Sequence, residues 1–409
     1  MMTITPRPVR GTRWRAGPWS VGPSQRFVGL DVARAVALVG MMIAHILPKT
    51  VRGHVPLSQR MVTGNSAALF AVLAGASLAL ITGGRVPHTG RRRVEDSSAV
   101  LVRAVVIVIF GLALEQLHPA GIAVILPYYG VLFALAIPFL WLRPAQLFAL
   151  GVAWMVVAPV VSQVVRLAHP TSTAGGFSGL GVGGIFLRLF LTGQYPAFTW
   201  IAYLFCGMAV GRLDLRRADR ALALLCGGAL AAGLAAVVSH LVTSLPGVHE
   251  RLVATWDGTT VHSWAALQPE LEVGLQGITP THSWWWLAID APHSGSGPDL
   301  LQTTATALAV IGAALLATRV VPRLWQIVFG AGAMTLTLYS LHIVMVLPQT
   351  WPDHGPRRLL PEVAVVVIAG AVFALLRLKG PLETIVAVIS RAAARAVGRL
   401  LKIRGDRRG

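Results

Sequence analysis

Ten apolar runs recur along this chain, at about residues 28 to 47, 66 to 83, 99 to 117, 121 to 141, 144 to 166, 196 to 212, 219 to 243, 299 to 317, 325 to 347 and 360 to 378. Each approaches the roughly 20 residues that a helix needs to cross the hydrocarbon core of a bilayer. Lipid offers the backbone no hydrogen-bonding partners, so runs of this length must satisfy their own N–H and C=O groups as helices. Composition agrees: 55% of the 409 residues are hydrophobic, 12% are charged and the mean hydropathy is +0.67, too apolar for a soluble chain of this length. The expected fold class is therefore all-α, a polytopic integral membrane helical bundle of about ten transmembrane helices. The chain divides into a basic N-terminal tail (1–27), a transmembrane domain (28–378) and a basic amphipathic C-terminal tail (379–409). Within the second part, residues 244–298 form a Trp-rich outer loop.

The net charge of +19 suits a nucleic-acid binder only if the cations cluster on a folded surface, and here they sit in tails and alternate loops. Five arginines precede the first run. Arg85, Arg91, Arg92 and Arg93 follow the second run, Arg143 the fourth, Arg212, Arg216, Arg217 and Arg220 the sixth, and Arg319 and Arg323 the eighth. The positive-inside rule places all of these, and both termini, in the cytoplasm. No nucleic-acid partner is expected, and the localisation is a multi-pass protein of the cell membrane. Lys49, Arg52 and Arg60 in the first outer loop, and Arg357 and Arg358 in the last, run against the rule; an anion site would account for them. With no cleavage site after a short apolar core, the first run is expected to be a retained span. Cys206 and Cys226 both fall inside apolar runs, which argues against a disulfide framework or a metal centre.

The outer loop carries Trp256, Trp264 and Trp284 to Trp286 beside Glu250, Asp257, Glu270, Glu272 and Asp290. Such a set suits either a sugar cradle or an interfacial aromatic belt on a re-entrant or surface-lying segment. In the C-terminal stretch, Arg391, Arg395 and Arg399 recur at helical spacing among apolar residues, a pattern expected to lie along the anionic inner leaflet. No internal repeat is visible, which weakens an inverted-repeat transporter reading.

Ionisable residues inside spans are expensive and point to function. The first span has three, Asp31, Arg34 and His45, and at 3.6 residues per turn all project from the face that Leu38, Met41 and Met42 complete. Eleven residues put His45 roughly 16 Å outward from Arg34, so the two cannot touch. Asp31 and Arg34 lie at the inner mouth, where a phosphate-bearing ligand can be met. At the outer depth, Glu115 closes the third span, Tyr128 and Tyr129 open the fourth and His342 lies near the outer end of the ninth. His54, Asn65, Asp290 and His293 fall in outer loops or at span mouths. Histidines and a carboxylate converging at one level suit general-base or nucleophilic acyl transfer. Taken singly, Asp31 with Arg34 reads equally as a helix-end ion pair, and His45 or His342 as an interhelical hydrogen-bonding residue.

The first span, from Arg26 through Asp31 and Arg34 to His45, resembles the opening of membrane acyltransferases related to heparan-α-glucosaminide N-acetyltransferase. Its Arg34 and His45, with ten residues between them, resemble the signature of the wider transmembrane acyltransferase superfamily. The stretches Asn65 to Gly75, Pro127 to Gly130 and Leu336 to His342 carry the resemblance further, and Asp290 to Gly295 and Gly380 to Glu383 resemble bacterial relatives. Where Asn65 stands, the family's motif often has an arginine. The family's naming enzyme has its important histidine in the first outer loop, closest here to His54, so His45 ranks first and His54 second.

The resemblance implies acyl transfer from a cytosolic acyl-CoA, acetyl-CoA above all, to a hydroxyl or amine of a cell-envelope glycan or glycolipid on the other face. No metal is implied. Arg34, oriented by Asp31, would guide the CoA arm, with Tyr128 and Tyr129 on the same ligand. His45, helped by Glu115, His54 or His342, would be base or transient acyl carrier, and Asn65, Asp290 and His293 would meet the acceptor. A polytopic transporter or flippase for a lipid-linked or small metabolite is the alternative, and a homodimer is compatible with either.

Overall fold

The structure, a computed structural model, describes residues 27–117, 121–169, 177, 179–347, 349–350 and 355–406. The basic N-terminal tail, apart from Phe27, lies outside the described residues. Sixteen α-helices form among the rest. In chain order these are α1 (Val28–Ile46), α2 (Leu57–Val62), α3 (Asn65–Ile81), α4 (Gly90–Glu115), α5 (Leu126–Ala136), α6 (Pro144–Ala168), α7 (Val182–Leu187) and α8 (Ala197–Gly211). Then follow α9 (Ala218–Thr243), α10 (Val248–Ala254), α11 (Trp264–Val273), α12 (Gly297–Ala317), α13 (Pro322–Val328), α14 (Thr335–Met345), α15 (Leu359–Leu375) and α16 (Pro381–Asp406).

Every one of the ten apolar runs is helical, and among the described residues seven helices are long and apolar enough to cross a membrane. The exceptions are the fourth, sixth and ninth runs, whose helices are α5, α8 and α14. At 1.5 Å per residue, the 11 residues of α14 rise about 16 Å, half of a hydrocarbon core. Its run is broken at Gly330–Ala333, a 3₁₀ turn between α13 and α14. A broken helix survives in a membrane only if its freed amides find partners. Here Glu383 of α16 accepts from the Leu336 and Thr337 amides at 2.7 and 3.2 Å, and from the Thr337 hydroxyl at 2.6 Å. A carboxylate is also what the positive end of a helix dipole favours, so the Gly380 to Glu383 stretch has a structural task in starting α14.

The bundle closes on glycines. Cβ atoms added to Gly75, Gly207 and Gly211 would run into the carbonyl oxygens of Leu204, Val72 and Ala76. α3 and α8 thus cross backbone to backbone, the association that small residues permit where lipid removes any hydrophobic drive. α9 shows the opposite character: Leu230, Leu234, Val237 and Leu241 are exposed, a wall of large apolar side chains suited to lipid.

Two further segments pack in ways that hydropathy leaves open. The Trp-rich segment folds on itself. α10, α11 and the 3₁₀ turn Trp284–Ala288 close around a core of their own, made of Val248, Leu252, Leu267, Leu271, Trp286 and Ile289. Only Trp286 of the triple-Trp run is buried there; Trp284 and Trp285 are exposed. The C-terminal stretch packs as α16 along the N-terminal half of α4, with Gly398 against the side chains of Glu95 and Arg91. Two of the five cations that run against the loop rule have acidic partners. Arg60 pairs with Glu272 at 2.7 Å, and buried Arg358 with Glu362 at 3.6 Å.

Candidate active site

α1 carries its polar face into the bundle as the spacing requires. At its inner end the Arg34 guanidinium donates to Asp31 and to Ser77 of α3, both at 2.7 Å. Gly332, in the turn before α14, packs directly on the Asp31 carbonyl oxygen, with no room for a Cβ. Leu38, fully buried, stands between this pair and the outer half of the helix.

At the outer end lies a cavity of about 1450 Å³. Its floor is Met41, Ala44 and His45 of α1; its walls include Glu115, Tyr128, Arg166 and Arg188; its roof is Trp256, Asp257 and Glu270 of the Trp-rich cap. Arg166 ties roof to wall, donating to the Thr279 carbonyl at 2.5 Å and to the side chains of Ser162, Gln163 and Thr279 at 3.2 to 3.3 Å. The cavity is thus framed by both signs of charge and by aromatic faces, which suits a polyhydroxylated ligand.

His45 is the ring on the cavity floor, and behind it stand two further groups. Its Nδ1 is 3.1 Å from Nε2 of His342 on α14, with the ring planes 4° apart. Nδ1 of His342 is in turn 3.1 Å from Glu362 Oε2 on α15, and neither of these side chains has any exposed surface. Three helices therefore contribute to one hydrogen-bonded file. The outer histidine pair matches the depth argument. Glu362 is not among the residues that the sequence pattern singles out, although it is the only carboxylate within the last apolar run. That isolation was the available signal, masked because a Glu three residues into a span reads as interfacial.

His293 joins the cavity from the other side. It adopts φ +57°, with its carbonyl held by the Gly277 amide at 2.8 Å, and its ring lies parallel to Trp200 at 6.2 Å and edge-on to Tyr195 at 5.6 Å. Burial first, and Lys49 second, push its pKa down to about 4, so the ring is neutral at pH 7.

The remaining candidates divide. Tyr128 lines the cavity, edge-on to Tyr195. Tyr129 is buried and donates to the Ala67 carbonyl at 3.2 Å, a helix-to-helix tie. Glu115 lines the cavity but accepts from the Val124 amide at 2.9 Å, holding the α4 to α5 connection. Asn65 donates to the Met61 carbonyl at 3.2 Å beside the cavity without lining it. His54 is exposed in a tight turn with Val51, and Asp290 is exposed near Ser239; neither lines the cavity. Asp31 and Arg34 likewise lie outside it. No group of three or more metal-ligating side chains occurs among the described residues.

A family model described as the catalytic part of heparan-alpha-glucosaminide N-acetyltransferase matches residues 26–241. No curated protein matches the chain. The matched stretch runs from the start of α1 nearly to the end of α9 and holds Arg34, His45, Glu115 and much of the cavity wall, while His342 and Glu362 lie beyond it. With more than half its length matched, and a histidine on the floor of a cavity in a polytopic bundle with a second bonded behind it, the chain belongs to the heparan-alpha-glucosaminide N-acetyltransferase catalytic family of membrane acyltransferases.

Proposed function

We propose that this protein moves an acyl group, acetyl in the first place, from acyl-CoA arriving at the cytoplasmic face to a hydroxyl or amine of a cell-envelope glycan or glycolipid held in the outer cavity. The observation that carries the reading is His45 on the cavity floor with His342 bonded behind it at 3.1 Å. A hydroxyl is a weak nucleophile until a base within hydrogen-bonding reach takes its proton, and a neutral imidazole is matched to that task near pH 7. The acceptor oxygen or nitrogen attacks the thioester carbonyl carbon as His45 receives its proton. The C–S bond then breaks, and the CoA thiolate takes the proton back. Trp256, Asp257 and Glu270 offer a sugar an apolar face and hydrogen-bond acceptors.

The donor enters this scheme from the Arg34 end. Eleven residues of α1 separate Arg34 from His45, about 16 Å, a span that an extended pantetheine arm covers. Arg34 already holds a guanidinium in place through Asp31 and Ser77, ready for a charge-assisted bond to phosphate.

The test is turnover of acetyl-CoA, labelled in the acetyl group, by the purified protein in lipid nanodiscs, with hydroxyl- and amine-bearing sugars as acceptors. Wild type cleaves the thioester, faster when an acceptor is present, and His45→Ala lowers the rate by about 10²- to 10⁴-fold, the usual contribution of a general base. Wild type and variant that both leave the thioester intact across these acceptors overturn the proposal.

A further inference from the structure

We infer that Glu362, backed by Arg358, is a positioning residue that decides which nitrogen of His45 faces the acceptor; this rests on the acyl-transfer reading. Glu362 Oε2 lies 3.1 Å from His342 Nδ1, and an ionised carboxylate only accepts, so that nitrogen carries the hydrogen. A neutral imidazole has one N–H, which leaves His342 Nε2 as a lone pair, 3.1 Å from His45 Nδ1. The His45 hydrogen therefore sits on Nδ1, and Nε2 keeps the lone pair that a base needs. Without the charge at position 362 the file runs equally well in reverse, with His45 Nε2 protonated and useless for proton abstraction.

The cost of this arrangement argues for it. A fully buried carboxylate in an otherwise apolar helix destabilises the fold unless paired, and an apolar residue of similar size would serve packing better. Arg358, one turn earlier on the same side and also buried, sets a positive charge beside the carboxylate, with Nε at 3.6 Å from Oε1. Lys49, Glu115 and His293 are among the charged or titratable side chains that line the cavity together with His45.

The file also moves charge. As the acceptor proton reaches His45 Nε2, the Nδ1 proton passes to His342 Nε2, so that the imidazolium formed is the one 3.1 Å from Glu362. Both protons return when the thiolate leaves with the proton from His45 Nε2. The carboxylate itself is never protonated, and no electrons beyond those of the C–S and new C–O or C–N bonds change place.

The experiment uses the full chain in nanodiscs and compares wild type with E362Q, E362D and R358Q by acetyl-CoA turnover and by ¹⁵N spectra of histidine-labelled protein, the His45 signal being assigned from H45Q. E362Q is expected to lower kcat by about 10²- to 10⁴-fold with KM for acetyl-CoA within about twofold of wild type, as for a triad whose acid is neutralised. E362D restores part of the rate, and R358Q moves the same way by less. In wild type the His45 Nε2 signal is that of an unprotonated nitrogen, and in E362Q a protonated Nε2 gains population. Unchanged kcat in E362Q, or a wild-type His45 already protonated at Nε2, overturns the inference. The wild-type tautomer is read even where no variant folds, and it is independent of turnover. An inactive wild type with the stated tautomer would therefore sink the acyl-transfer reading alone.

Discussion

Exchanging Gly207 for alanine should separate two helices on which the inner end of the site depends. A Cβ at this position would lie inside contact with the Val72 carbonyl oxygen, 2.7 Å from its carbon and 3.0 Å from the Val72 Cα. Carbon–oxygen contacts between helices settle at about 3.3 Å or more, so α3 and α8 must part by about 1 Å. Overpacking of this kind costs about 1–3 kcal/mol, and losing the close Cα–H···O contact costs about 0.5–1 kcal/mol more. Against this stands the gain of about 1 kcal/mol from replacing a helical glycine by alanine. The net loss is about 0.5–3 kcal/mol. Gly233 on α9 is the matched control, because nothing lies within 4 Å of its added Cβ. There only the backbone gain remains, and Gly233→Ala should stabilise by up to about 1 kcal/mol. Denaturant midpoints in mixed micelles, with helicity as the signal, measure both. If Gly207→Ala proves as stable as Gly233→Ala, the backbone-to-backbone crossing is wrong. Because Ser77 of α3 holds Arg34, the same displacement should weaken donor binding before it touches the histidine pair.

Two further outcomes are expected. His293 has a folded pKa of about 4 against an ordinary 6.5, so between these values the unfolded chain binds a proton that the folded one refuses. Its contribution to stability is present above about pH 6.5 and falls away as pH drops toward 4; unfolding measured at pH 7 and pH 5 should show a slope that flattens in His293→Asn, and equal slopes would contradict the burial argument. Arg34→Met should raise KM for acyl-CoA about tenfold or more, the value of a charge-assisted hydrogen bond, while thioester cleavage at saturating donor changes far less; an unchanged KM would remove Arg34 from the donor path.

Hydropathy made the bundle legible, because lipid permits so few backbone arrangements that ten apolar runs already imply ten helices. Helical geometry made the site partly legible, since a face and a rise per residue put Arg34 and His45 at opposite depths and placed His342 at the outer level. What stayed hidden depends on contacts between distant segments. Glu362 gains meaning only when α15 is laid against α14, and Arg358 only as its neighbour. The turn breaking the ninth run is set by Gly332 meeting the Asp31 carbonyl and by Glu383 capping α14, neither of which leaves a mark on hydropathy. Trp286 reads like its neighbours Trp284 and Trp285, yet it alone fills the core of the cap. His54 and Asp290 had the right chemistry at the right depth, but the turn at Val51 and the packing against α9 direct them elsewhere.

The hydrogen-bonded file joins residues 297 positions apart, His45 near the beginning of the chain and His342 near its end. A ribosome therefore delivers the ring that faces the cavity long before the one that orients it, and Glu362 arrives later still. During synthesis the helices that precede α14 are made with His45 unaligned. Reactivity is switched on at one moment, when α14 and α15 dock, so a chain stalled, truncated or misinserted near its C-terminus is chemically silent as well as incomplete.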